Sequence, residues 1–498
     1  MKEYLSKSKY CKAVQCKKIL WLDRYKLEEK EETARKSVLE NGTKVGMLAK
    51  GLFGKYEDVA YNENLSIMVE RTKELLKYKP NIITEASFEY DHNFCSVDIL
   101  KNDKDGVEIY EVKSSTDIHD IYIDDIAYQY FILSKVGLTI KKANLVFINK
   151  EYIRHGELEI QKLFNIEDVT EIIKEKEKQN EIEIMLKEID EFMEQHGEND
   201  EPDMNLGMQC MEPYECSYWK YCTRNLPKPN VFDIANMRKD KKFERYNNGL
   251  ISFEDLEHEE MNSKHLEQIN FELYNLEPKI NKEAIRELIN SLKYPLYFID
   301  FETFQLAIPE YEGTKPYQQL PFQYSLHIMR KENGEIEHKE FLAQIEDKDF
   351  IRHFAESMIH DIPDNGSVII YNNSFEPARI NEMARMYSDL AKELQRINSQ
   401  IVDFLVPFRN RDYYMKEFQG SYSIKKVLPA LYPNDSELDY HQLSVVHNGE
   451  EASDTFLSLR GKSKEEQEVL RKGLLEYCRL DTYAMVKIWQ KFKEILQE

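Results

Sequence analysis

The chain has 498 residues, with 68 Lys and Arg against 91 Asp and Glu and a formal net charge of −23. That length holds two or three domains with full cores, and no run reaches the roughly 18–20 apolar residues of a membrane span. The acidic balance argues against a surface that is basic throughout, since phosphate contacts are made by Lys and Arg, but the excess is uneven: residues 151 to 203 hold 18 acids against 6 Lys and Arg. That stretch reads as a charged amphipathic helix ending at Gly197, with a solvated face turned from any nucleic-acid path. No apolar leader follows Met1-Lys2-Glu3-Tyr4-Leu5, so a cytoplasmic protein without a membrane partner is expected, its seven cysteines reduced.

In chain order, the first chemical constellation is Ser96-Val97-Asp98-Ile99-Leu100, a hairpin over residues 102 to 106, and Tyr110-Glu111-Val112-Lys113-Ser114. Residues two apart on a strand share a face, so Glu111 and Lys113 point the same way. Asp98 and Glu111, with the Val112 carbonyl and water, can bind a metal, while Lys113 offsets charge developing on a scissile phosphate or polarises water. Gln129, on a helical stretch from Asp124 to Leu133, would support the same site. Asp and Glu-x-Lys recur by chance in charged proteins, so this pattern leans on the cysteines.

Cys210, Cys216 and Cys222 are each separated by five residues, with Tyr214, Tyr218, Trp219 and Tyr221 interleaved, and Cys16 lies far upstream. Four thiolates divided one plus three can clamp a 4Fe–4S cluster and join the two ends of a domain. Zinc is the competing ion, and scattered core thiols are the plain alternative. Cys11, Cys95 and Cys478 fall outside the pattern and read as ordinary buried thiols.

Asp98, Glu111-x-Lys113 and Gln129, framed by one cysteine before and three after, resemble the PD-(D/E)XK nuclease fold of the RecB family. The likeness is to its iron–sulfur branch, which includes the CRISPR-adaptation and AddB-type nucleases. It implies a nuclease domain over residues 1–225 with a cysteine-ligated cluster. Two departures stand out. The family's upstream helix often supplies a metal-binding His, and Gly46 occupies that position within residues 41 to 49; Leu133 stands where a Tyr usually follows the Gln. Weak or absent activity of this domain is therefore one expectation.

Pro227, Pro229 and Pro278 punctuate residues 226–292, where apolar residues recur at helical intervals, which predicts a helical connector. Tyr294-Pro295-Leu296-Tyr297-Phe298-Ile299 then predicts a buried strand ending in Asp300-Phe301-Glu302. Burying like charges is costly unless cations neutralise them, and magnesium or manganese suits carboxylate oxygens. Val368-Ile369-Ile370-Tyr371 leads through Asn372 to Glu376 at a strand-to-helix junction. Tyr477 and Asp481, four apart, share a helix face. Four acids can hold two metals about 3.5–4 Å apart, one activating water and one stabilising the leaving oxygen of a phosphodiester, with Tyr477 orienting the water. Asp403 is a substitute for Glu376. Alone, Asp-x-Glu reads as a solvated strand end, and Tyr477 beside Leu475 and Trp489 as core.

Together, Asp300-x-Glu302, Asn372-x-x-Phe375-Glu376 and Tyr477-x-x-x-Asp481 resemble the three motifs of the DEDDy 3′–5′ exonucleases, a branch of the RNase H-like superfamily. The second motif usually ends in Asp, and here it ends in Glu376. Residues 420 to 429 also resemble a stretch of bacterial proteins that join a RecB-like half to an RNase H-like half. The resemblance implies an α/β chain with three parts: a restriction-endonuclease-like domain with an Fe–S cluster, the connector, and an RNase H-like mixed-sheet domain over 293–498. The implied activity is a metal-dependent DNA nuclease acting on single strands or 3′ ends, in repair, recombination or defence. An RNA exonuclease and a non-catalytic nucleic-acid-binding assembly protein are the alternatives. Arg409, Arg411, Lys416, Lys425 and Lys426, interleaved with Tyr413, Tyr414, Phe418 and Tyr422, suit either single-strand stacking or a packed loop.

Overall fold

Alternating burial along Asn93–Asp103 marks the central strand of a first sheet, in the computed structural model that describes residues 4–31, 36–363, 365–435, 438 and 440–497. The chain forms two units, Met1–Asn225 with Leu306–Tyr317, and Leu226–Gln305 with Gln318–Glu498. Both are mixed α/β. No helix among the described residues is long and apolar enough to cross a membrane.

In the first unit, β1 (Leu5–Ser6) and β2 (Glu57–Asp58) are short, and β3 (Ile82–Tyr90), β4 (Asn93–Asp103) and β5 (Gly106–Lys113) form an antiparallel meander. The β4–β5 turn needs a glycine: Gly106 has φ +138°, and a Cβ there would lie 2.3 Å from the Thr139 carbonyl oxygen. Helix α5 (Asp120–Lys135) then crosses to β6 (Ile140–Ile148), parallel to β5, and β7 (Phe164–Asp168) closes the edge. Before these, α1 (Lys7–Gln15), α2 (Lys18–Tyr25), α3 (Lys36–Ala49) and α4 (Leu65–Tyr78) occur in order, and the acidic helix α6 (Lys176–Gln195) follows. Ile126, Phe131 and Ile132 of α5 pack with Val97 and Ile109 of the sheet, which carries Gln129 to the strands that bear Asp98 and Glu111.

The second unit holds β8 (Leu296–Phe304), β9 (Leu320–Met329), β10 (Ile336–Leu342), β11 (Ser367–Ile370) and β12 (Ile401–Asp403), in spatial order β10-β9-β8-β11-β12. The first three are antiparallel; β11 runs parallel to β8, and β12 parallel to β11. Every residue of β9 is buried, the pattern of a strand covered on both faces. Helices α7 (Phe350–Asp361) and α8 (Glu376–Met386) connect the strands, and the 34-residue α9 (Lys464–Gln497) packs Met485, Ile488, Trp489 and Phe492 into the core with Phe298 and Phe404. Thr482 fixes the rotation of α9: its hydroxyl lies 2.7 Å from Ser325 Oγ and 2.8 Å from His327 Nδ1 of β9.

Two expectations change. Residues 226–292 are helical over Lys239–Asn247, Ser263–Tyr274 and Lys282–Ser291, but they belong to the second unit rather than standing apart. Leu306–Tyr317, expected in the C-terminal domain, belongs to the first unit because Ala307 is buried in a cluster with Val146, Ile148 and Tyr152. The aromatic interleaving near residue 413 is a packed loop, since Tyr413, Tyr414 and Phe418 are core residues and Arg411 lies 3.7 Å over the Tyr414 ring.

Candidate functional site

Asp300 and Glu302 alternate on β8 toward α9, opposite Ser325 and Gln323 of β9. Their carboxylate oxygens and the Cys478 sulfur all lie within 4.8 Å of one another. One turn of α9 brings Tyr477 to Asp481, which it hydrogen-bonds, and the Tyr440 hydroxyl donates to Asp481 Oδ1 at 2.6 Å. Lys425 Nζ lies 5.4 and 5.2 Å from the Tyr440 and Tyr477 ring centres, and its charge favours ionised Glu302 and Asp481.

Glu376 is in the first turn of α8, buried and hydrogen-bonded to Asp300, with Oε2 lacking a partner. Asp403, expected as a substitute for Glu376, is engaged by the backbone. Its Oδ1 accepts the N–H groups of Asn372 (3.0 Å) and Leu405 (2.9 Å), and Oδ2 accepts that of Asn373 (3.2 Å). With its oxygens so occupied it holds the turn, where Asn372 has φ +106°, that delivers Glu376. Asp403→Ala is expected to destabilise the second unit by about 1–3 kcal/mol, the usual cost of leaving buried backbone donors without an acceptor, as read from its denaturant midpoint.

The electrostatics of this pocket are unbalanced. Burial first, then the neighbouring acids, pushes Asp300 and Glu302 well above the usual carboxylate range, and burial also raises Asp481. Glu376 is pushed up to about 7, mainly by burial. Carboxylates that hold protons more tightly folded than unfolded lose stability as pH rises from the unfolded value, about 4, through the folded one. In EDTA the melting temperature should therefore fall between pH 5 and pH 8, and Mn²⁺ should restore more of it at pH 8. A flat EDTA profile indifferent to Mn²⁺ would contradict this. Burial and then Asp481 hold the Tyr477 hydroxyl far above its ordinary value, so it stays protonated and acts as a hydrogen-bonding group, not a base.

The first unit's constellation is assembled differently. Asp98 Oδ2 accepts the Val112 N–H at 2.7 Å. Glu111 receives Lys7 Nζ (2.7 Å) and Lys113 Nζ (2.8 Å) on Oε1 and Gln129 Nε2 (2.7 Å) on Oε2. Asp125, one turn before Gln129 on α5, pairs with Lys113 and lies 3.6 Å from Lys7. Against the upward push of burial, Lys113 and Lys7 hold Glu111 well below the usual range, while burial and then Glu111 push Asp98 up to about 7. Gly46, the position at which the resemblance leads one to expect a His, lies on α3, and a Cβ there would meet nothing within 4 Å.

Cys16, at the end of α1, and Cys210, Cys216 and Cys222 gather around Ile19, Trp21, Leu22 and Tyr218. All four are free and partly exposed. Burial raises each thiol, Cys210 up to about 11, and at Cys210, Cys216 and Cys222 the charges of the other sulfurs add to it. Backbone N–H groups of Lys18 and Ile19 face Cys16, that of Gly207 faces Cys210 and that of Tyr218 faces Cys216, favouring thiolates.

Lys7, Asp125, Tyr440 and Cys478 were not among the candidates from sequence. Asp125 had a signal, its helical spacing from Gln129, and so had Cys478, three residues before Asp481 on the same helix; Lys7 and Tyr440 reach their sites only through tertiary folding.

The chain is thus a mixed α/β protein with a four-carboxylate pocket, a lysine-laced acidic cluster and a thiol quartet. The family model for a domain of unknown function, DUF2779, matches residues 297–423, which include Asp300, Glu302, Glu376 and Asp403. An uncharacterized protein of Ureaplasma parvum, UU173, is 28% identical over 252 residues, covering 46% of this chain and 36% of that protein. An uncharacterized Mycoplasma pneumoniae protein, the MG366 homolog, is 27% identical over 222 residues, covering 41% and 33%. The chain therefore spans about a third of the length of these curated relatives. No solved structure matches it.

Proposed function

We propose that the protein is a metal-dependent nuclease whose second unit shortens nucleic acid, DNA in the first instance, from a 3′ end. The observation that carries this reading is the convergence of Asp300, Glu302, Glu376 and Asp481 in one buried pocket, with an unpartnered oxygen on Glu376. Such a pocket is poorly stable without cations. The strand order β10-β9-β8-β11-β12, with three antiparallel strands followed by two parallel ones, supports an RNase H-like architecture, and the succession α4-β3-β4-β5-α5-β6 supports a PD-(D/E)XK-like one.

Bound at these four acids, a pair of Mg²⁺ or Mn²⁺ ions would lower the pKa of an attacking water and stabilise the leaving oxygen. The protein's own groups do the rest. Tyr477 holds the water's orientation through its protonated hydroxyl, and Tyr440 fixes the rotamer of Asp481. Lys425 offsets the charge that a scissile phosphate brings to an acidic pocket. In the first unit the four gathered thiols, their apolar surround and their backbone donors fit a 4Fe–4S cluster, whose sulfurs take hydrogen bonds of this kind. Zinc is the other ion such a quartet takes. Reduced thiols suit the cytoplasm, and trimming of 3′ ends suits repair, recombination or defence.

The test is an anaerobic preparation with Mn²⁺ and two 5′-end-labelled single strands of the same sequence, one DNA and one RNA. Stepwise shortening from the 3′ end of the DNA supports the proposal as stated. Shortening of the RNA alone moves the same chemistry to the other polymer, and no shortening of either rejects a nuclease.

A further inference from the structure

The two acidic constellations differ in how their charge is balanced. In the second unit four carboxylates converge with Lys425 as the ammonium that reaches Glu302 and Asp481. In the first, Glu111 and Asp125 are each approached by two ammonium groups, those of Lys7 and Lys113. Lys113 is the expected strand lysine. Lys7 is not: it is the first residue of α1, N-capped by Ser6, and its side chain is only 24% exposed. Gln129 closes the other oxygen of Glu111, and the Val112 N–H takes Asp98 Oδ2. On the side of α3 the expected imidazole is replaced by Gly46 and open space.

We infer that the ammonium of Lys7 stands where the resemblance would put a divalent cation, so that the Asp98–Glu111–Lys113 constellation is a closed, metal-independent ion-pair centre and not a second catalytic site. Both oxygens of Glu111 already accept from Lys7, Lys113 or Gln129, so a cation bound in the usual way has to displace one of these donors, and the buried oxygen of this cluster left without a partner among the described residues is Gln129 Oε1 rather than a carboxylate. The route exists, since a cavity of about 450 Å³ lined by Lys7, Lys50, Glu85, Ser96 and Asp98 adjoins the site. Lys7 also begins the helix that ends at Cys16, so its ion pairs fasten the end of α1 remote from the thiol quartet. The claim rests on the two-metal reading of the second unit only in assigning the remaining cations there.

The test is Mn²⁺ binding by full-length chains, followed by the electron paramagnetic resonance of free Mn²⁺. Asp300→Asn with Asp481→Asn empties the second unit. This double variant should bind no Mn²⁺ at concentrations that load the wild type, and adding Lys7→Met should create one site that Glu111→Gln removes, whereas Lys7→Arg should create none. Mn²⁺ retained by the double variant and lost on adding Glu111→Gln would overturn the inference, as would a folded Lys7→Met chain that gains no site. Because Lys7→Met can fail to fold, acetylation of Lys7 in the wild type gives a second readout. Protection unchanged by Mn²⁺ supports the closed centre, and protection abolished by Mn²⁺ overturns it. A wild type that binds no Mn²⁺ sinks the two-metal reading instead, while the Lys7 arms still decide the inference.

Discussion

Asp300→Ala should lower 3′-end shortening by at least about 10³-fold while the chain stays folded. Asp300 is the acid on which the pocket converges: it faces Glu302 two residues along β8, hydrogen-bonds Glu376 and feels the charge of Asp481. Losing one ligand of a metal-held phosphoryl centre costs several kcal/mol of charge stabilisation, and about 1.4 kcal/mol is a factor of ten in rate. Stability should move the other way. In EDTA the variant should melt above the wild type, because one of the mutually repelling buried acids is gone, and its gain on adding Mn²⁺ should shrink. A structural acid would show the opposite pattern, with a lower melting temperature and unchanged cleavage by the folded fraction. Equal rates for variant and wild type would sink the exonuclease reading.

Loss of the thiol quartet should have the largest effect on stability. Cys216→Ser is expected to reduce iron from about four atoms per chain to none, and to lower the melting temperature of the first unit by about 10 °C or more. The physical reason is loop closure. The quartet ties the end of α1 to the segment around residues 208–222 across roughly two hundred residues of chain, and without it the two ends are left to the small cluster of Ile19, Trp21, Leu22 and Tyr218 and to polar contacts such as those of Gln15 with the Gln209 and Tyr214 carbonyls and of Tyr218 with Asp23. Metal analysis and calorimetry check this together. Zinc in place of iron would change the ion and keep the argument, whereas a Cys216→Ser chain that melts like the wild type would remove the quartet from the folding of this unit.

What the sequence disclosed follows the range of the interactions involved. Asp300 with Glu302, and Tyr477 with Asp481, were visible because strand and helix periodicity place such residues together locally. The turn that presents Glu376 was visible as a β-branched run broken by Asn372 and Asn373. The role of Asp403 was not, because a carboxylate that accepts three backbone N–H groups carries the same letter as one that binds an ion. Lys7 was silent for a related reason: a lysine in Leu5-Ser6-Lys7-Ser8 has no helical or strand repeat tying it to Glu111, more than a hundred residues away. The aromatic residues near 413 left two readings open, since stacking platforms and packed loops share their composition, and burial separates them.

The excursion over Leu306–Tyr317 bears on how this chain can be inherited and dissected. It leaves between β8 and β9, four residues after Glu302, places Ala307 in the first unit's core and returns at Tyr317, whose hydroxyl donates to the Ser114 carbonyl. A gene cut at residue 225 would deliver a first half missing part of its own interior, and a second half carrying an apolar loop with nowhere to bury it. The two halves cannot be traded as cassettes in recombination or in the laboratory, and any partner chain that exchanges one of them has to exchange the strap as well.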